Sequence, residues 1–269
     1  MRLLLTEMRR ALHRRLVWVL IGLATGLSIV GGAIAFIDSA DGLSPAQLRG
    51  DELHPASMTS WWMPGNGDGW ISACAFFLAI GGMIGGASVA GAEWRAGTVG
   101  TVLTWEPRRA RLLTARMGAA GILAALIATL LQLVSLALLL PAVLVNGTTA
   151  GADGGWWLGL AAAVVRSSLL TALAAVLALS IANIGRNTAA ALTAITGWLL
   201  VGEGLIRGLK PSWARHLLAE NLGTVLTWAP LDHDLAGHTP SRALATLLAY
   251  TAIPVIAAIA IFRRRDLVG

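Results

Sequence analysis

The chain has 269 residues, of which 56% are hydrophobic and 13% charged, with a formal net charge of +6 and one cysteine, Cys74. An ordinary soluble domain carries about 25% charged residues, so this composition excludes a soluble globular protein, a disordered chain and a disulfide-stapled fold. A polytopic membrane protein remains. Of the 20 basic residues only Lys210 is lysine. The basic residues gather at the ends of apolar runs, which argues against nucleic-acid binding.

The first fifteen residues read as a short basic helix. Leu4, Leu5, Met8, Ala11 and Leu12 share one face, with Arg2, Arg9 and Arg10 elsewhere. Such a helix is expected to lie in the membrane interface and to lead into the first span. Six runs are then long enough to cross a hydrocarbon core about 30 Å thick. They are 16–37, 70–90, 118–143, a span within 157–184, 189–205 and 243–262. Every span is read as helical, because lipid cannot satisfy an open sheet edge. The fold class is therefore an all-α membrane domain spanning 1–269, with an interfacial helix at 1–15, a structured loop at 91–116 and an outer loop at 206–241.

Charge sets the orientation. With the N-terminus in the cytoplasm, fourteen arginines lie inside and five basic residues outside, with Arg166 left within a span. Asp38, Asp41, Asp51, Glu52, Asp68, Asp153, Asp232 and Asp234 then lie outside. The excess of inner positive charge predicts both termini in the cytoplasm. Trp18, Trp70, Trp156, Trp157 and Trp228 fall near the expected interfaces, whereas Trp198 falls mid-span as a packing residue. Gly22 with Gly26, Gly81 with Gly85, and Gly82 with Gly86 have the spacing of close helix contacts in lipid.

The loop at 91–116 is longer than a turn requires. Gly97 and Thr98 offer a helix start and Pro107 a stop, so a short cytoplasmic helix is expected between them. Glu93, Arg95, Gly97, Thr98, Leu103, Pro107, Arg109 and Arg116 together resemble the pattern after span 2 in ABC type-2 permease subunits. The ending from Phe262 to Asp266 and the six-span layout are similar to that family as well, although many members have lysine at the position of Arg116.

The resemblance implies a membrane subunit of an ATP-driven exporter, paired with a second permease chain, either identical or a paralogue. It implies a coupling helix in the loop, with Glu93, Arg95, Gly97, Thr98, Leu103, Pro107 and Arg109 as coupling residues. Two copies of a separate ATPase subunit would carry ATP and magnesium. Independently of the resemblance, Lys210 is followed by Pro211, so no P-loop exists here. No nucleotide-binding domain is expected in the remaining length, and ATP hydrolysis is assigned to another chain.

Other chemistry is sparse. The five histidines lie outside the spans, and no histidine is placed to activate Ser88. Asp232, His233, Asp234 and His238 read as a solvated loop rather than a metal site. Arg166 and Glu203 sit at similar depth in spans 4 and 5 and could form an intramembrane ion pair. The alternative is Arg166 reaching outward alone. The outer loop reads as an amphipathic segment on the headgroups, or as a cap over an exit route. Competing readings are an ion-coupled secondary transporter, with Glu203 its titratable group, and a membrane scaffold or immunity protein. The apolar spans favour a hydrophobic or amphipathic cargo in a bacterial cytoplasmic membrane.

Overall fold

The computed structural model describes residues 2–40, 54–63, 65, 67, 69–98, 104, 108–229 and 238–264. Among these, helices account for almost all regular structure, and the only β pairing is an isolated bridge from Ser57 to Thr148. Six helical segments are long and apolar enough to cross a membrane. The chain is a multi-pass membrane protein.

The helices are α1 (Arg2–Leu12), α2 (Arg15–Ser39), α3 (Trp70–Arg95), α4 (Arg109–Asn146) and α5 (Gly154–Gly185). Span 5 is built from α6 (Thr188–Gly197), a π-helical turn at Trp198–Gly202, and α7 (Glu203–Leu209). After a 3-10 turn at Pro211–His216 come α8 (Leu218–Thr227) and α9 (Pro240–Arg264). The span positions agree with expectation, but two ends do not. Helix α3 runs on to Arg95, and α4 begins at Arg109, nine residues before the apolar run. The added turns carry charge, and they are helical because they pack: Leu112, Leu113 and Arg116 are buried.

Helix α5 is the central post. Within its most apolar window 56% of residues are buried, against 11% in α2. A β-carbon at Gly86 would overlap the Ala175 carbonyl, and one at Gly82 would stand 2.8 Å from the Thr171 carbonyl. These two glycines therefore bring the α3 and α5 backbones together. The other expected pairs do not. Gly22, Gly26 and Gly81 have nothing within 4 Å of a β-carbon, and Gly85 has only a Leu20 methyl at 4.0 Å.

We call the end of the bundle where α3 and α5 finish the basic end. Helix α2 packs at the opposite, far end. There Gly32 lies against Leu138, Ala35 is buried, and Asn146 Nδ2 donates to Ser39 Oγ (3.1 Å). Towards the basic end α2 stands away from α3 and α4. The space left is a cavity of about 210 Å³ lined by α2, α3, α4 and α5, with Ala11 of α1 at its basic end.

The outer loop departs furthest from expectation. It does not lie flat on a surface: its 3-10 turn and α8 fold back against α5, α7 and α9. Leu218 and Val225 join Leu170, Leu177, Ala243 and Leu247 in one apolar cluster. The Tyr250 hydroxyl, ten residues into α9, donates to the His216 carbonyl (3.0 Å). Trp198 is also misjudged: it lies on the π turn and is 41% exposed, rather than packed within the bundle.

Candidate functional site: an ionic hub beside the loop

The last turn of α3, just before the loop, touches almost every element at the basic end. Gly91 meets α6, where a β-carbon would overlap the Thr188 hydroxyl. Glu93 is buried and turns towards α1 and α4. Its carboxylate contacts Arg116 Nη1 at 2.5 Å, Arg10 Nη2 at 3.4 Å and Arg14 Nη2 at 3.7 Å. Trp94 points the other way, towards α5 and α9. Its indole donates to Asn183 Oδ1 (3.2 Å), the Arg186 guanidinium lies 4.7 Å over its ring, and Phe262 meets it edge-on at 6.4 Å. Arg186 caps α5 in the left-handed conformation (φ 53°), which turns the chain directly into α6.

Glu7 completes the hub. It is 6% exposed and accepts from Arg116 Nε (3.2 Å) and Arg10 Nη1 (2.9 Å). Arg14 also donates to the carbonyls of Ser88 (2.8 Å) and Val89 (3.2 Å), which lie in α3. Burial lowers the affinity of the Arg14 guanidinium for its proton, and the charge of Glu93 works against that effect. Three arginines thus share two carboxylates. Pairs this buried hold their geometry, since removing one partner strands a charge out of water.

Helix α1 is therefore not simply an interfacial helix. Its Glu7 face docks on α3 and α4, with Leu4 against Gly118, while Leu5 remains 55% exposed. Glu7 is the residue that the sequence reading missed. It is the one acid among the first fifteen residues, and it falls at helical spacing from Leu4 and Ala11, on the face that becomes buried.

The expected coupling residues divide. Glu93 faces inward and is held by the hub. Arg95, Gly97 and Thr98 are exposed. Gly97 ends α3, and residues 99–103, where the expected short helix would run, lie outside the described residues. At φ 66° it donates to the Trp94 carbonyl (3.3 Å), and Thr98 N–H reaches back to the Glu93 carbonyl (3.2 Å). These two bonds form a Schellman stop, which needs a left-handed residue and so favours glycine. Leu103 and Pro107 lie outside the described residues, while Thr104 between them is helical. Arg109 opens α4 and is half-buried.

The expected pair of Arg166 with Glu203 does not form. Helix α8 comes between them and takes each at one end. Glu203 accepts from the backbone N–H groups of Leu218 (2.5 Å) and Ala219 (3.0 Å), at the start of α8. Arg166 Nε donates to the Leu226 carbonyl at its finish (3.0 Å), and the Trp228 ring lies 5.5 Å from its guanidinium. An acid at a helix N-terminus and a base at its C-terminus both complement the helix dipole. Counting residues along two spans could not show a third helix between them.

Glu220, also buried, pairs with Arg207 (3.0 Å). His238 Nε2 lies 3.2 Å from Thr224 Oγ1. Asp232, His233 and Asp234 lie outside the described residues, and among the described residues no group of metal-binding side chains converges. No protein-family model matches the chain, and no curated protein matches it.

Proposed function

We propose that the chain is the permease subunit of an ATP-driven ABC exporter of the type-2 kind. The hub carries this reading. A loop can transmit force only if its root is stiff, and the root of this loop is tied by Gly91, Glu93 and Trp94 to α1, α4, α5, α6 and α9. Rigid-body displacement of the loop would then move several spans together.

In this reading the basic end faces the cytoplasm, with both termini there, as the arginine distribution favours. The segment after Gly97 forms the coupling helix. Arg95, Thr98, Leu103, Pro107 and Arg109 lie at its docking surface, while Glu93 anchors it from behind. ATP and magnesium bind two copies of a separate ATPase subunit. A second permease chain, identical or paralogous, completes a dimeric pathway in a bacterial cytoplasmic membrane. A hydrophobic or amphipathic cargo suits the nearly uncharged spans.

The test is purification of the full chain with its candidate ATPase, followed by transport in proteoliposomes. Deleting 97–104 is expected to abolish partner binding and ATP-dependent transport while the protein still reaches the membrane. Transport that survives the deletion, or that follows a pH gradient without ATP, sinks this reading. The second result would favour ion coupling at Glu203.

A further inference from the structure

The cavity beside α2 has the shape and lining of a lipid site. Its walls include Leu20, Ala24, Leu27, Phe77 and Leu131, and Thr171 supplies the one polar side chain among its lining residues. Its floor includes Gly81 and Gly85, where the missing side chains leave open space. It extends along α2 from Val17 to Leu27. Ten residues of helix rise about 15 Å, which is half of a hydrocarbon core about 30 Å thick. The cavity therefore matches one leaflet.

Its mouth is basic. Ala11 and Val17 line the cavity at the basic end. Arg9, His13 and Arg15 each stand within two residues of one of them, and all three are exposed. None of the three pairs with an acid among the described residues. They differ in this from Arg10, Arg14 and Arg116, whose charges the hub takes up.

We infer that this cavity binds one acyl chain of an anionic phospholipid from the leaflet at the basic end, with the phosphate held by Arg9, His13 and Arg15. The separation of α2 from α3 is then the width of an acyl chain. The lipid fills the gap between α2 and its neighbours towards the basic end, since the buried residues of α2 are Gly32, Ala35 and Ser39 at its far end. The inference stands whether or not the chain couples to an ATPase.

The test is native mass spectrometry of the full-length protein after equilibration with phosphatidylcholine vesicles, with and without phosphatidylglycerol. The wild type is expected to retain one phospholipid per chain and to prefer phosphatidylglycerol. Gly81→Leu with Gly85→Leu fills the floor, and a β-carbon at either position meets no protein atom nearer than a Leu20 methyl at 4.0 Å. Each methylene evicted costs about fourfold in affinity, so losing two lowers retention more than about tenfold. Arg9→Gln with Arg15→Gln is expected to keep a lipid but to lose its preference for phosphatidylglycerol, about fivefold per charge.

If the double leucine variant does not reach the membrane, Ala24→Phe blocks the same space from the opposite wall and is read in the same way. Undiminished lipid retention in a blocked variant overturns the inference. So does disulfide-linked dimer formation in native membranes by Ala24→Cys placed in a Cys74→Ala background, because a second copy would then occupy the cavity.

Discussion

Replacing Glu93 by glutamine tests the hub most directly. The side chain keeps its size and one acceptor oxygen, but the three arginines are left with Glu7 alone. Arg116 suffers most, because its side chain is only 7% exposed and water cannot replace the lost charge. Removing one partner of a buried ion pair costs about 3–5 kcal/mol. The lower end applies, since Arg116 keeps Glu7 on its Nε. For a chain of this size each kcal/mol corresponds to roughly 2–4 °C, so the melting temperature in detergent should fall by roughly 6–12 °C. Adding Arg116→Met removes the stranded cation. The double variant should then recover about 1–3 kcal/mol relative to the sum of the singles. Exposed Arg95→Gln should melt like the wild type. Tryptophan fluorescence during heating reads all five proteins: the wild type, Glu93→Gln, Arg116→Met, their double variant and Arg95→Gln. A fall under 2 °C for Glu93→Gln, or strict additivity in the double variant, would show that these charges do not hold one another.

Three further outcomes follow from other parts of the molecule. Glu203→Gln should loosen α8 at its start, losing about 1.5–3 kcal/mol from one charged hydrogen bond; hydrogen exchange at Leu218 and Ala219 should quicken, and unchanged exchange would mean that Glu203 does not cap the helix. Gly86→Ala should destabilise the bundle by at least about 1–3 kcal/mol through overpacking, whereas Gly81→Ala, facing open space, should be close to neutral; equal melting temperatures would contradict the α3–α5 contact. In a Cys74→Ala background, Thr98→Cys should react with a membrane-impermeant maleimide only after cells are opened, and Ala150→Cys in intact cells. The reverse pattern would invert the proposed orientation.

The spans were legible because length and apolarity answer directly to the thickness of a bilayer. The charged extensions of α3 and α4 were not, since hydropathy ends a helix where charge begins, while packing continues it to Arg95 and starts it again at Arg109. The loop drew attention to the end of α3, but for Gly97 the local signal was ambiguous. Glycine serves at either end of a helix, and only its positive φ shows that it closes α3. The re-entrant course of α8 was out of reach. It depends on Glu203 accepting from amides fifteen and sixteen residues ahead, and on Arg166 meeting a carbonyl sixty residues away. The π turn at Trp198–Gly202 likewise leaves no mark on the composition of the run.

The hub also sets a timetable for synthesis. Arg10 waits 83 residues for Glu93, and Glu7 waits 109 for Arg116. At about 5–20 residues per second, Glu7 leaves the ribosome roughly 5–20 s before its buried partner. During that interval α1 has its own Glu7–Arg10 pair and the headgroups of the membrane. The helix at 2–12 is thus fixed only once α4 has followed it, with α5 to α9 still to come. A mutation in α4 such as Arg116→Met would therefore be felt 109 residues back in the chain, where Glu7 would lose its buried partner.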